Sequence, residues 1–289
     1  MTERFVVANG IRIFCVDEGD GPLVLLLHGF PESSYSWRHQ VPALAAAGFR
    51  AVAIDLPGYG RSDKPDVAYN VSWVGACVAG VITGLGHERA VVAGHDWGGL
   101  IAWPFARMYP DLVAGVIGLN VPDLPRYDLP PTELFRQLGS SRTQYILDFQ
   151  ERGTAEDNIQ KDIDGFVELF LRGPATVRKD VMTNDVLAEY AALFRPEGAI
   201  TPPLEYYRNM DRNWEIAAEF DDDKIDVPCL MICAAGDPVL PPELAEGMDA
   251  RVPDVEIVTI DDCGHWTQQE QPEATNQHML RYLARVPRW

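Results

Sequence analysis

The chain has 289 residues, of which 47% are hydrophobic and 23% are charged, a composition typical of a globular protein rather than a disordered one. Acidic residues outnumber basic residues by 43 to 24, which gives a formal net charge of -19. Because nucleic acids and anionic membrane surfaces are bound mainly through Lys and Arg, this charge argues against both as partners. The length fits one large domain or one domain with a sizeable insertion.

The amino terminus and the cysteines indicate the compartment. The first residues, MTERF, lack the basic and apolar segments of a secretory signal, and no apolar run approaches the roughly 18 to 20 residues of a membrane span. The five cysteines are an odd number without a CxxC pair, which predicts buried free thiols rather than disulfides or structural zinc. We therefore expect a soluble, cytoplasmic protein.

Short β-like runs alternate with helical patterns along the first part of the chain. Two such runs flank Asn9-Gly10, a signal for a β-hairpin. Further apolar runs predict buried strands, and the segments between them have helical periodicity. The predicted strands are 23–27, 51–54, 90–93 and 113–119, and the predicted helices are 37–47, 71–85 and 100–109. This alternation predicts an α/β fold with a mostly parallel sheet and helices on both faces.

From residue 122 onward, β-like runs give way to prolines, aromatic residues and amphipathic helical stretches. The β/α pattern resumes with predicted strands 229–232 and 255–260 and a predicted helix 272–283. We therefore predict a core of residues 1–121 and 222–289 and a helical cap, or lid, of residues 122–221. The acidic run Asp221-Asp222-Asp223 near the end of the cap is interpreted as a solvated linker rather than a metal site.

A glycine-rich motif, GHDWGG, follows predicted strand 90–93 and precedes a helical segment. A strand, a tight turn and a helix form a nucleophile elbow, which needs small residues because the central residue is strained and the helix crosses close to the strand. The central residue is Asp96, where a serine esterase carries Ser, so Asp96 is the predicted nucleophile. The alternative is a glycine-rich turn with an incidental Asp.

Two downstream motifs supply the candidates for the acid and the base. Asp237 follows the strand that begins at residue 229, and His265 follows predicted strand 255–260. The order Asp96, Asp237, His265 matches nucleophile, acid and base in this fold, with each residue at the carboxyl end of a strand. Asp123 also follows a strand and is an alternative acid, although a position in the loop leading into the cap is the favoured interpretation.

The loop after strand 23–27 reads HGFP and begins at His28. In this architecture, that loop and the residue after the nucleophile donate the backbone N–H groups of an oxyanion hole, which assigns the donors to Phe30 and Trp97. His28 and His95 are interpreted as structural. The later run DLPGYGRS lacks the third glycine of a dinucleotide-binding fingerprint and is interpreted as a turn.

Together these motifs resemble the α/β-hydrolase-fold epoxide hydrolases of the soluble type. The shared segments are HGFPESSYSWR (28–38), DLPGYGRSD (55–63), GHDWGG (94–99), YRNMDRNW (207–214), GD (236–237) and DDCGHWTQ (261–268). The resemblance implies that Asp96 opens an epoxide to form an ester, which water activated by His265 and Asp237 hydrolyses to a vicinal diol. It implies a small-molecule epoxide substrate and neither metal nor cofactor; a homo-oligomer is compatible with the sequence, which leaves the oligomeric state open.

Two cap tyrosines hold the epoxide oxygen in that family. The YRNM match implies this role for Tyr207, and the segment YILDFQE, which resembles the family's first cap helix, implies it for Tyr145. Tyr127 and Tyr190 are the alternatives. Tyr206 lies about 100° round a helix from its neighbour and is expected to face elsewhere.

Two other classes of function compete with this one, dehalogenases and non-catalytic ligand binding. A haloalkane dehalogenase shares the Asp nucleophile but needs side-chain N–H donors for the departing halide, and Phe30 has none. Fluoroacetate dehalogenases carry arginines where Trp97 and Leu100 stand. A non-catalytic ligand-binding protein of the same fold is disfavoured, because Asp96, Asp237 and His265 are all present.

Overall fold

A single sheet of eight strands forms the centre of the computed structural model, which describes residues 1–289. The strands are β1 (Thr2–Ala8), β2 (Ile11–Glu18), β3 (Leu23–Leu27), β4 (Arg50–Ile54), β5 (Ala90–His95), β6 (Val113–Leu119), β7 (Cys229–Ala234) and β8 (Val255–Ile260). Their order is β1-β2-β4-β3-β5-β6-β7-β8. β2 pairs antiparallel with β1 and β4, and all other pairs are parallel. The predicted mostly parallel sheet is therefore confirmed.

The central strands are covered on both faces. Every residue of β3, β5, β6 and β7 is buried, whereas the edge strand β8 is mostly half-buried or exposed. Parallel strands between two layers of helices lose the alternation of polar and apolar residues, which explains their continuous apolar sequences.

The helices follow the strands along the chain. They are α1 (Gln40–Ala46), α2 (Val71–Gly84), α3 (Trp97–Met108), α4 (Pro131–Leu138), α5 (Gln144–Asp148), α6 (Thr154–Lys161), α7 (Ile163–Leu171), α8 (Asn184–Phe194), α9 (Thr201–Arg208), α10 (Met210–Ala217), α11 (Thr267–Glu270) and α12 (Pro272–Leu283). α3 begins three residues earlier than predicted, because the turn at Asp96 leads directly into it. α1 begins later than predicted, because residues 34–37 form a separate 3₁₀ turn.

The segment between β6 and β7 contains helices α4 to α10 and no strand. Its side chains Ile146, Phe149 and Tyr207 belong to the same hydrophobic core as Phe30 and Trp97, which lie just beyond the carboxyl ends of β3 and β5. The helical segment therefore packs over the edge of the sheet where the candidate residues lie.

The other whole-chain expectations concern cysteines and membranes. All five cysteines are buried and free, as predicted. None of the helices combines the length and apolarity that crossing a membrane requires.

Candidate active site

Asp96 occupies the sharp turn between β5 and α3. Its backbone has φ +48° and ψ −117°, a conformation that L-residues rarely adopt. Gly98 shows why the turn needs a small neighbour, since a Cβ there would lie 2.1 Å from the carbonyl oxygen of Leu27. The strand–turn–helix arrangement predicted from GHDWGG is present. It places Asp96 at the carboxyl edge of the sheet.

His265 lies between the two predicted carboxylates. Its Nδ1 is 2.7 Å from Oδ2 of Asp237, and its Nε2 is 3.7 Å from Oδ2 of Asp96. The other oxygen of Asp237 accepts backbone N–H bonds of 2.8 and 3.0 Å from Val239 and Leu240. Because an ionised Asp237 can only accept, Nδ1 carries a hydrogen and Nε2 is directed toward Asp96.

Burial and neighbouring charges shift the pKa values of Asp237, His265 and Asp96 in opposite directions. Burial would raise the pKa of Asp237, but the charge and hydrogen bond of His265 and the two backbone N–H groups outweigh it and lower that pKa strongly. Burial would lower the pKa of His265, yet Asp237 and Asp96 together raise it well above its usual value. Burial would also raise the pKa of Asp96, but His265, His95 and the Phe30 N–H leave it lowered. Asp96 is therefore a carboxylate at neutral pH.

The predicted oxyanion hole lies beside Asp96. The backbone N–H of Phe30 donates a 2.8 Å hydrogen bond to Oδ1 of Asp96. Trp97 is the first residue of α3, so its N–H belongs to the first helical turn, where backbone donors lack partners within the helix and favour negative charge.

Tyr145 and Tyr207 line the same cavity as Asp96 and His265. Tyr145 is carried by α5 and Tyr207 by α9, and their ring centroids are 5.9 Å apart. Burial, followed by neighbouring negative charge including Asp96, raises the pKa of Tyr145; burial, the other tyrosine and Asp96 raise the pKa of Tyr207. Both phenols are therefore neutral hydrogen-bond donors at ordinary pH.

The two alternative tyrosines, Tyr127 and Tyr190, lie away from the cavity, and so does Tyr206, as expected. The hydroxyl of Tyr206 donates to the carbonyl oxygen of Pro57 at 2.7 Å, and the hydroxyl of Tyr190 donates to Oε1 of Gln269 at 3.0 Å. Tyr127 is 42% exposed. None of the three lines the cavity around Asp96.

The other polar candidates have structural contacts. His28 is buried, its Nε2 accepts from the N–H of Leu56 at 2.9 Å, and burial lowers its pKa. Asp123 is ion-paired with Arg107 and Arg251 at 2.7 and 2.9 Å. These contacts support the interpretations of His28 as structural and of Asp123 as part of the loop after β6.

The sequence does not predict two residues that hydrogen-bond to Asp237 or to the backbone around His265. Asn120 donates through Nδ2 to Oδ2 of Asp237 at 2.7 Å, across 117 positions in the chain. Asn120 follows the end of β6 with φ +63°. Its place at the carboxyl end of a strand is a signal in the sequence for a site residue. The sequence does not indicate that Asp237 is its partner.

Glu270 is the second missed residue. Its buried carboxylate accepts backbone N–H bonds from Gly264 and Trp266, on either side of His265, at 3.1 Å each. It also accepts from Val177 and Arg178 at 2.9 and 2.8 Å. No local pattern identifies this residue, because its partners are backbone groups, and two of them lie 93 and 92 positions away in the chain.

His95 is buried behind the candidate base. Its Nε2 lies 2.7 Å from the carbonyl oxygen of His265, and its Nδ1 lies 2.9 Å from Oε2 of Glu32. Because both ring nitrogens face oxygen acceptors, His95 supports the backbone of His265 with its ring, in agreement with a structural interpretation.

The cavity in front of Asp96 has a volume of about 510 Å³. Most of its lining is apolar or aromatic; its polar residues are Asp96, His265, the two tyrosines, Ser141 and Arg142. The structure contains no group of three or more His, Cys, Asp or Glu side chains suited to hold a metal ion. The arrangement suits nucleophilic attack by a carboxylate on a small, uncharged molecule.

Known proteins share this sequence and this fold. Residues 22–272 match the α/β hydrolase fold family. The chain is 37% identical to epoxide hydrolase A of Mycobacterium tuberculosis, over 98% of this chain and 97% of that protein. It is also 37% identical to bifunctional epoxide hydrolase 2 of Rattus norvegicus, over 96% of this chain but 54% of that longer protein.

A solved structure agrees with these sequence matches. The crystal structure of epoxide hydrolase A from Mycobacterium thermoresistibile has a TM-score of 0.91 and 36% identity, covering 100% of this chain and 99% of that one. With the predicted fold present, and with Asp96, Tyr207 and His265 from three of the shared motifs lining one cavity, the chain belongs to the α/β-hydrolase-fold epoxide hydrolases.

Proposed function

We propose that this protein hydrolyses small-molecule epoxides to vicinal diols through a covalent ester on Asp96. The observation that carries the proposal is the shared cavity, in which Asp96 and His265 face two neutral tyrosines. A carboxylate nucleophile, a histidine base and phenol donors are the groups that the two steps of this reaction require.

In the first step, Asp96 attacks one carbon of the epoxide. Oδ1 is held by the Phe30 N–H, so Oδ2 is the attacking oxygen. The new bond joins Oδ2 to carbon while the ring C–O bond breaks, and the epoxide oxygen takes the electron pair. Tyr145 and Tyr207 stabilise that oxygen and supply its proton, because their raised pKa values keep them protonated.

Ester formation prepares the second step. Once Oδ2 is esterified, Asp96 has no charge, and one of the two carboxylates that raise the pKa of His265 is lost. His265, oriented by Asp237, can then take a proton from water as the water oxygen attacks Cγ of Asp96. The tetrahedral oxyanion develops at Oδ1 between the N–H groups of Phe30 and Trp97. Its collapse breaks the bond between Cγ and Oδ2, and Oδ2 leaves with the substrate carbon and takes the proton held by His265. The hydroxyl that water left on Cγ gives its proton back to the tyrosine that protonated the epoxide oxygen, so the diol is released and the carboxylate and both tyrosines are regenerated.

We also propose that residues 122–221 act as the cap of this site and that residues 1–121 and 222–289 form its core. The cap contributes the tyrosines and the core contributes the nucleophile and base, so ring opening needs both parts while ester hydrolysis depends mainly on the core. The apolar surface shared by the two parts supports a cap packed on the core rather than a separately folded domain.

The test is His265→Gln, incubated with styrene oxide and examined by intact-mass spectrometry. The variant retains Asp96 and the tyrosines but lacks the base, so an adduct with the mass of the epoxide should accumulate while diol formation stops. Asp96→Ala combined with His265→Gln is the matched control and should stay unmodified. An unmodified His265→Gln protein with normal turnover would contradict the proposal, and halide release from haloalkanes without diol formation would favour a dehalogenase instead.

A further inference from the structure

Arg208 is the last residue of α9 and directly follows Tyr207. Its side chain is 5% exposed. Nη1 donates to Oε1 of Glu156 at 2.7 Å and to Oε1 of Glu205 at 3.0 Å, and Nη2 donates to Oε2 of Glu156 at 3.0 Å. A guanidinium group has five N–H donors, and these bonds use three of them.

The two remaining donors reach the end of α5. Nε of Arg208 donates to the carbonyl oxygen of Phe149 at 2.9 Å, and Nη2 reaches that of Glu151 at 3.4 Å. Phe149 is the C-cap of α5, and its own N–H donates to the carbonyl oxygen of Tyr145 at 2.9 Å. Arg208 therefore joins the carboxyl end of the helix that carries Tyr145 to the end of the helix that carries Tyr207.

A second tie lies beside the first. Nε2 of Gln150 donates to the carbonyl oxygen of Tyr207 at 3.2 Å and to that of Ile146, within α5, at 2.9 Å. The two tyrosine-bearing helices are thus linked by side chains whose hydrogen bonds end on backbone groups.

α5 depends on such links for its orientation. It has five residues and no side-chain hydrogen bond at its N-cap Thr143. A helix of this length is unstable alone, so its position depends on the hydrogen bonds that other segments make to its ends. Arg208 satisfies carbonyl groups at its carboxyl end, where the helix dipole also favours a cation.

We propose that Arg208, held in turn by Glu156, is a positioning residue that fixes the separation of the Tyr145 and Tyr207 hydroxyls for epoxide ring opening. The inference rests on the proposed function. Because both tyrosines act on the epoxide oxygen and neither takes part in attack of water on the ester, displacement of α5 slows ester formation and leaves ester hydrolysis unchanged. A displacement of a tyrosine hydroxyl by about 1 Å is enough to lower the rate of ester formation by roughly 10²-fold.

The chain offers variants that separate this effect from a general loss of stability. Arg208→Lys keeps one charge but loses the planar fork that reaches Phe149 and Glu156 together. Glu156→Gln keeps the size of the side chain and removes its charge. Arg195→Lys is the matched control, because Arg195 also forms an ion pair within residues 122–221 but is 55% exposed, and its partner Asp164 lies on α7 rather than on a tyrosine-bearing helix.

The experiment is a single-turnover reaction with styrene oxide, quenched at successive times and analysed by intact mass, with melting temperatures recorded in parallel. We expect Arg208→Lys and Glu156→Gln to slow ester formation by about tenfold or more and to change ester decay by less than about twofold. Arg195→Lys should change neither rate.

Two results would overturn the proposal. One is an unchanged rate of ester formation in both folded variants, and the other is an equal fall in formation and decay. If Arg208→Lys does not fold, Glu156→Gln decides between these outcomes alone. Absence of any ester in the wild-type protein and in His265→Gln would instead refute the proposed function, so the two failures are distinguishable.

Discussion

The two halves of the candidate site are built by different means. Asp96 and Asp237 follow the ends of buried strands and His265 follows the edge strand β8, and the Asp96 and Asp237 carboxylates accept backbone N–H groups. Tyr145 and Tyr207 instead lie on helices of five and eight residues, joined by side chains and packed among aromatic rings. The positions of Asp96 and Asp237 are set by backbone groups, so few substitutions can alter them without disturbing the fold. The positions of Tyr145 and Tyr207 are set by side chains, so single substitutions can alter them.

The largest effect should come from removing both phenol donors. Tyr145→Phe and Tyr207→Phe should each lower the rate of ester formation by about 10²-fold, since one donor to the developing alkoxide remains. The double variant should lose about 10⁴-fold or more, because the alkoxide then has no donor from the cap. Rapid-quench measurements of ester formation test this. Equal rates in the single and double variants would mean that the tyrosines do not share the epoxide oxygen.

A glycine comparison tests the rigidity of the core half directly. Gly98→Ala places a Cβ 2.1 Å from a backbone oxygen, so we expect it to lower the free energy of unfolding by about 3 kcal/mol or more. Gly198→Ala, in the helical segment, has φ +75° but no atom within 4 Å of the added Cβ, and should cost about 1 kcal/mol. Urea unfolding of both variants measures the difference. A similar cost at both positions would show that the turn after Asp96 is not tightly packed.

The pH dependence should differ between the two reaction steps. The pKa of Asp96 is lowered, so the nucleophile stays ionised well into the acid range. The pKa of His265 is raised, and His265 acts as a base only when neutral, so ester hydrolysis should slow as pH falls through the pKa of His265 in the ester. Lowering the pH should therefore make the wild-type ester accumulate while its formation continues. Quenched samples across a pH series report both rates, and parallel decline of the two would contradict this assignment.

Much of the core could be predicted because its signals are local. The buried strands have continuous apolar sequences, and the turn at Asp96 requires small neighbours within three positions of the chain. The contacts of Asn120 and Glu270 could not be predicted, since each joins groups that are distant in sequence. Tyr145 and Tyr207 were assigned through family resemblance alone, because no spacing rule links a residue on α5 with one on α9.

The buried carboxylate of Glu270 has a consequence for how the site opens. It binds backbone N–H groups on both sides of His265 and also those of Val177 and Arg178 from the helical segment. The N–H of His265 adds a 2.8 Å bond to the carbonyl oxygen of Ala175. These hydrogen bonds join residues 175–178 to the loop that carries His265, so any displacement of that part of the proposed cap would also shift the backbone of the proposed base.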